Sequence, residues 1–343
     1  MENLKLNENP DFLNMKDLVE RLIKIEQELD PAKNFIANVY PNRNNLVMIE
    51  FLLRKNSMCA LDLLHSSSVR SSTGDAISPF DAARCLRDYI RTSRFITGLH
   101  GAIKKAQEKF PGERIRILDA GCGPFALLSL ATATQFEPEE VEYSLVDLHK
   151  QSIDNSRSII SKMGMENYFD KIIQGDAVRI NLGEHLNKKP HIVVAEVMNT
   201  ALMEEPQAAV TKNLVPQLVE GGMIVPENVT VSASLLTSTH KIELGKIISL
   251  TKEHILELLK RSEETGEMVS ADELFTVPVS VKKAQVMLDT DVRVFGDQKL
   301  QLSDSFITRP FPIGKVNKVK SQDKIRVKVK FGGDRFDTKF SLE

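Results

Sequence analysis

The sequence predicts an α/β fold: a mostly parallel sheet, preceded by a helical N-terminal segment and followed by a β-rich C-terminal region. Three observations carry this. Residues 113–236 alternate short apolar runs with helical stretches, the order that lays helices over a parallel sheet. Those apolar runs are continuous, as in strands covered on both faces. Near the end, Ile325, Val327, Val329 and Phe331 alternate with Arg326, Lys328 and Lys330, the period-two pattern of a half-exposed strand.

Taken in order, residues 1–64 read as helical. Leu18, Leu22, Ile25 and Leu29 recur at helical spacing, and Leu46, Ile49, Leu52 and Leu53 form a second apolar face. The stretch HSSSVRSSTGDAISP, residues 65–79, reads as a loop: either a surface linker or a mobile lid beside a site. A helical pattern resumes from Asp81 to Lys109. ERIRILDA is then a strand, PFALLSLATA a helix, VEYSLVD a strand and KQSIDNSRSIISKM a helix. KIIQGDA and HIVVAE are further strands, and GGMIVPENVTVSASL supplies two more. Residues 241–264 read as one more helix on Ile242, Leu244, Ile247, Ile248, Ile255, Leu258 and Leu259. From Leu274 onward strands dominate. The expected division is a helical segment over 1–79 (a substrate cap or a scaffold), a cofactor-binding sheet domain over 80–236, and a helix plus β-rich region over 237–343.

Composition bounds the function. At ~150 residues per domain, 343 residues suggest about two domains. Lys and Arg number 45 against 47 Asp and Glu, a net charge of −2, so nothing favours sequence-independent nucleic-acid binding. Cys59, Cys85 and Cys122 cannot form a disulfide framework, and they lack zinc-ligand spacing. The histidines are scattered, so no metal is expected. The polar start MENLKLNENPDF has no apolar signal region, and no run approaches the ~20 residues of a membrane helix. The expectation is a cytoplasmic chain in a reducing compartment, without a membrane or nucleic-acid partner.

Three motifs carry chemistry. In ILDAGCGPFA, residues 117–126, a strand ends at Asp119. Gly121 and Gly123 make a tight turn, and a helix is expected to begin at Pro124. Such a turn brings bare backbone and free N–H groups to a ligand. By itself it fits a nicotinamide dinucleotide as well as S-adenosylmethionine. Three acids decide between them. Asp119 can meet an amino-acid ammonium through ordered water. Asp147 closes the next strand, placed for two ribose hydroxyls. Asp176, in QGDA, can accept from an adenine amino group while Ala177 offers its N–H. The second motif is AEVMNTALMEEP, residues 195–206, with Glu196 at a strand end and Glu205 nine residues on. Two carboxylates on one pocket suit a cationic acceptor. Glu204 stands beside Glu205 as an alternative. The third is LRDYIRTSRFITGLH, residues 86–100, in which Arg91 and its rival Arg94 offer a guanidinium.

Together these strings resemble the class I S-adenosylmethionine-dependent methyltransferases over residues 114–234, with a core similar to the protein arginine methyltransferases. Asp88, Arg91 and Thr92 match that family's Asp-x-x-Arg-Thr helix, and Glu196, Met198 and Glu205 match its double-glutamate loop. The resemblance implies a Rossmann-like methyltransferase sheet, and makes the β-rich C-terminal region partial barrel-like. It implies cofactor contacts at Arg91, Asp119, Gly121, Gly123, Asp147, Asp176 and Ala177, with Arg91 on the methionine carboxylate. It makes Glu196 and Glu205 the catalytic acids. There are departures: Phe125 stands where the family often has a third glycine, and Asn199 and Thr200 replace a Gly-Tyr pair. The chain contains no Trp, so the family's Thr-His-Trp loop has no counterpart, and Ser238, Thr239 and His240 do not replace it. The expected reaction is therefore N-methylation of an amine or guanidino group on a small molecule or amino acid. A protein arginine, a nicotinamide-dependent oxidoreductase and a non-catalytic binding subunit are the alternatives, and a homodimer is left open.

Overall fold

The computed structural model describes residues 9–29, 35–58, 67–71, 74–262, 270–330 and 337–343. Two helices open the chain, α1 (Pro10–Glu28) and α2 (Phe35–Asn56). Asn9 caps α1: its Oδ1 accepts from the N–H groups of Asp11 (3.0 Å) and Phe12 (3.3 Å), and Pro10 fills the first turn. Phe12, Met15, Val19, Leu22 and Ile23 are buried on α1, against Leu46, Ile49, Leu52 and Leu53 of α2. The apolar stripe of α1 thus turns away from the predicted Ile25 and Leu29. Glu26 occupies the buried face because Asn42 Nδ2 (2.6 Å) and Arg94 (2.8 Å) meet its carboxylate there.

The hairpin β1 (Val69–Ser71) and β2 (Gly74–Ala76) lies inside the predicted loop, whose residues 65, 66, 72 and 73 fall outside the described residues. The expected single helix over 81–109 is broken into α3 (Pro79–Arg84), one tight turn at Cys85–Arg87, and α4 (Tyr89–Lys109). Helix α4 packs against α1, α2, the parallel sheet and the antiparallel sheet. Its first half, Arg91–Leu99, is therefore buried nearly all round, polar residues included, while Lys104, Lys105, Glu108 and Lys109 near its end are exposed.

The parallel sheet comprises β3 (Ile115–Ala120), β4 (Val141–Asp147), β5 (Phe169–Gln174), β6 (Ile192–Val194) and β7 (Met223–Val225) in the order β5-β4-β3-β6-β7. Between these strands lie α5 (Leu127–Ala133), α6 (Lys150–Lys162) and α7 (Gln207–Leu214). The chain runs outward from β3 through β4 to β5, then crosses back to place β6 on the other side of β3. That reversal opens a crevice at the carboxyl ends of β3 and β6, where open α/β sheets bind ligands. Helix α5 starts at Leu127, not at Pro124, because Ala126 is left-handed (φ 41°) and ends the glycine turn before helical geometry begins.

The chain leaves the sheet in β8 (Asn228–Leu236), which pairs with β9 (Lys241–Thr251). Residues 241–251 are thus a strand, and among the described residues of the stretch read as one helix only α8 (Lys252–Ser262) is helical; 263 and 264 lie outside them. Two register shifts, between Val231 and Ser232 and between Ala233 and Ser234, interrupt the pairing. Each inserts a residue into the alternation, so Ile247 and Ile248 fall next to each other and imitate helical spacing.

Next come β10 (Ser270–Thr276), β11 (Val281–Phe295), β12 (Gln298–Leu300), β13 (Phe311–Val319), β14 (Lys324–Lys330) and β15 (Asp337–Leu342). Strands β12, β11, β8 and β9 form one antiparallel sheet, with β13 also on β11. Strands β10, β14 and β15 form another. The β-rich region is thus two open sheets rather than a closed barrel. Among the described residues, no helix is long and apolar enough to cross a membrane.

Candidate active site

All nine candidate site residues named from the sequence line one cleft at the carboxyl ends of the parallel strands. Arg91 comes from α4; Asp119, Gly121 and Gly123 from the end of β3 and its turn. Asp147 closes β4, Asp176 and Ala177 follow β5, Glu196 follows β6, and Glu205 precedes α7.

The glycine turn is built for close approach. Gly121 has φ +81°, and a Cβ there would collide with the Val197 side chain. Asp147 holds the turn in place. One of its oxygens accepts the Gly123 N–H at 2.9 Å, and the other accepts the His149 N–H at 2.8 Å. Burial raises the Asp147 carboxyl, and these two N–H donors work against that rise. Asp176 Oδ1 likewise accepts the Val178 N–H, 2.9 Å, shaping the loop after β5.

Asp119 lies beneath the turn. Its carboxylate accepts from Ser129 Oγ at 2.7 Å. Burial pushes its pKa up to about 7; Ser129 opposes this and Asp147 adds to it. Glu196 forms a hydrogen-bonded ion pair with Arg91, whose side chains are only 11% and 14% exposed. Burial drives Glu196 up to about 8 despite Arg91, with Glu205 pushing in the same direction. Glu205 is itself raised to about 7, by burial first, with Glu204 and Asp75 contributing. Of the two neighbouring acids, Glu205 turns into the cleft, while Glu204 is exposed and contacts Asn199.

The rivals separate clearly. Arg94 points to Glu26 and Gln298, away from the cleft. Asp88 is held elsewhere: it accepts from Ser305 Oγ (2.5 Å) and the Phe306 N–H (3.0 Å) in the C-terminal region. His100 packs against Phe136 outside the cleft, and burial lowers it to about 4. His240 is exposed in the β8–β9 turn. Cys122 lies in the glycine turn, its thiol raised by burial, which disfavours a thiolate nucleophile.

Sequence reasoning missed four contributors. Asp75 and Ile77, beside the hairpin, line the cleft, with Gly74 (φ +133°) laid against the 204–206 backbone. A Cβ on Gly74 would come within 2.8 Å of Pro206 N, and the Asp75 N–H donates to Glu204 O at 2.6 Å. Cys85 and His149 also face the cavity. The only signal for the hairpin was its composition, which equally suits a linker. Among the described residues, no group of His, Cys, Asp or Glu is arranged to hold a metal ion.

No family model matches the sequence. An uncharacterised protein of Methanocaldococcus jannaschii is 25% identical over 272 residues, covering 75% of this chain and 94% of that protein. Among solved structures, a chain of the Trypanosoma brucei PRMT1 enzyme–prozyme heterotetrameric complex with AdoHcy (S-adenosylhomocysteine) matches with a TM-score of 0.54. It is 14% identical, over 77% of this chain and 92% of that one. The likeness shows a methyltransferase-like fold.

Proposed function

We propose that this protein is an S-adenosylmethionine-dependent methyltransferase acting on the nitrogen of an amine or guanidino group in a small molecule or amino acid. The observation that carries the reading is the charge of the cleft. Asp75, Asp119, Asp147, Asp176, Glu196 and Glu205 line it, against the single guanidinium of Arg91 among its described residues. A dinucleotide brings two negative phosphates to such a crevice. S-adenosylmethionine brings a sulfonium and an ammonium, and a cationic acceptor adds a third positive centre.

The residues fit that cofactor. Gly121 and Gly123, both at positive φ, form the turn that lines the cleft. Asp119, whose pKa burial has raised, is the acid an ammonium would return to its ionised form. Asp147 suits the ribose, Asp176 and Ala177 the adenine, and Arg91 the carboxylate. When bound, S-adenosylmethionine supplies an electrophilic methyl group. Glu196 and Glu205 would align the acceptor nitrogen, and whichever is ionised would take the proton it gives up. Since both sit near neutrality, one protonated and one ionised carboxyl can coexist.

The hairpin supports a small acceptor, because Asp75–Ile77 and the Glu204–Pro206 backbone close one side of the cleft. A protein arginine is the second reading, supported by the fold likeness. Incubation with methyl-labelled S-adenosylmethionine and fractionated cell extract separates the two. Label in small molecules supports the first, and label in protein the second. Binding of NAD without binding of S-adenosylhomocysteine would overturn both.

A further inference from the structure

The strongest cation in the cleft is committed to the wrong partner for the proposed chemistry. Arg91, the residue suited to the cofactor carboxylate, is bound to Glu196, the residue suited to the acceptor. The pair is nearly withdrawn from water, and Glu196 Oε1 has no hydrogen-bond partner among the described residues. Arg91 supplies the guanidinium of the cleft lining, and it is the cation set against Glu196. The groups around it are Asp88, Cys85 and Glu205, from the turn before α4, the turn after α3 and the loop before α7. Asp88 is already held by Ser305 and Phe306.

We infer that Arg91 is a shared cation: a carboxylate-bearing cofactor draws its charge away from Glu196, and so opens the acceptor half of the cleft to a cationic group. This rests on the methyltransferase reading above. Two carboxylates compete for one guanidinium, so Glu196 loses compensating charge when the cofactor arrives. A buried carboxylate in that position must gain a proton or a cation. With the acceptor absent it gains a proton; with the acceptor present it gains the acceptor. Cofactor and acceptor therefore favour each other's binding, and the coupling is reciprocal. The sequence of events becomes ordered, with the cofactor first.

Calorimetry of the full chain tests this with two probes. S-adenosylhomocysteine carries the carboxylate, and 5′-methylthioadenosine lacks it. Titrations near pH 8.5, where Glu196, at about 8 while paired, is largely ionised, count the protons exchanged in buffers of different ionisation enthalpy. Asp119 releases protons when the ammonium of S-adenosylhomocysteine arrives, so the diagnostic quantity is the difference between wild type and Glu196→Gln. Wild type should take up more protons than the variant with S-adenosylhomocysteine, and the same number with 5′-methylthioadenosine. Glu196→Gln should bind S-adenosylhomocysteine about tenfold more tightly, the effect of ~1.4 kcal/mol of released competition. Its affinity for 5′-methylthioadenosine should be unchanged, which also shows the cleft to be intact. Equal affinities and equal proton counts for S-adenosylhomocysteine would overturn the shared cation and leave the cofactor reading standing. Failure of wild type to bind either probe would overturn the cofactor reading itself, and the inference with it.

Discussion

Arg91 and Glu196 lie 105 residues apart in the chain and form a buried ion pair at the mouth of the crevice between β3 and β6. The pair joins the central helix α4 to the loop that carries both candidate acids. The geometry of the cleft therefore depends on a contact that no local sequence pattern encodes. It also places the cleft's cation where it neutralises the more strongly buried of the two acids.

Replacing Glu196 with Gln removes the ionisable group while keeping the shape of the side chain. If Glu196 aligns the acceptor and takes its proton, kcat should fall by roughly 10²–10⁴-fold. S-adenosylhomocysteine should still bind, and about tenfold more tightly once Glu196 no longer competes for Arg91, since the ribose and adenine contacts are untouched. Steady-state kinetics beside calorimetry measures both. Unchanged turnover would remove Glu196 from the mechanism.

Asp147 serves the fold and the proposed site together. Asp147→Ala leaves the N–H groups of Gly123 and His149 without their acceptor. Each loss at a buried site costs about 1–3 kcal/mol, so Tm should fall by several degrees. The variant should also bind S-adenosylhomocysteine at least ~10-fold more weakly, since a ribose loses its acceptor. Asp147→Asn keeps one carbonyl oxygen and should retain more stability than affinity. Equal losses in both variants would mean that Asp147 only supports the turn.

Much of this was legible in the sequence because the information is local. Asp119, Asp147 and Glu196 announce themselves at the ends of continuous apolar runs, and the sheet follows from alternation. The turn at Gly121 and Gly123 reads directly from its residues. What failed was non-local. Residues 241–251 look helical because two register shifts against β8 break their alternation, and only the partner strand reveals that. The buried face of α1 turned toward Glu26 because Arg94 and Asn42, both remote in sequence, neutralise it. The role of the hairpin depends on Gly74 touching the 204–206 backbone, about 130 residues downstream. The choice between Glu204 and Glu205 was likewise decided by packing.

The raised acids make a pH signature. Asp119 and Glu205 stand at about 7 and Glu196 at about 8, all above the ordinary carboxyl range. Between their unfolded values near 4 and these folded values, the native state holds more protons than the unfolded chain. Stability from these groups is therefore complete at low pH and lost as pH rises through about 7–8. His100, lowered to about 4, acts with the opposite sign below about pH 6.5, so the informative window lies above that. Without ligand, Tm should fall from pH 6.5 to 8.5, and Glu205→Gln should flatten the decline and raise Tm at pH 8.5. Scanning calorimetry of both proteins measures it. A wild-type Tm that holds level or rises across the window would contradict the assignment.

Asp88 and Ser305 tie the start of α4 to the C-terminal region, 217 residues away. The Asp88 carboxylate accepts the Ser305 hydroxyl at 2.5 Å and the Phe306 N–H at 3.0 Å, and Ser305 also caps the turn at Phe306–Thr308. Asp88 immediately precedes the helix that presents Arg91, so loosening it should disturb the cofactor side as well as stability. Ser305→Ala removes one charge-assisted bond, about 1.5–3 kcal/mol, which lowers Tm by several degrees. Asp88→Asn should cost a similar amount, and the double variant should be little worse than either, since both remove the same contact. S-adenosylhomocysteine should bind each single variant more weakly, by a few-fold, while 5′-methylthioadenosine binds as in wild type, because only the carboxylate contact depends on Arg91. A double-mutant cycle on Tm, with both ligands titrated into every variant, measures all of these. Additive losses would dissolve the link between Asp88 and Ser305, and equal weakening of both ligands would mean that the contact supports the whole cleft rather than Arg91.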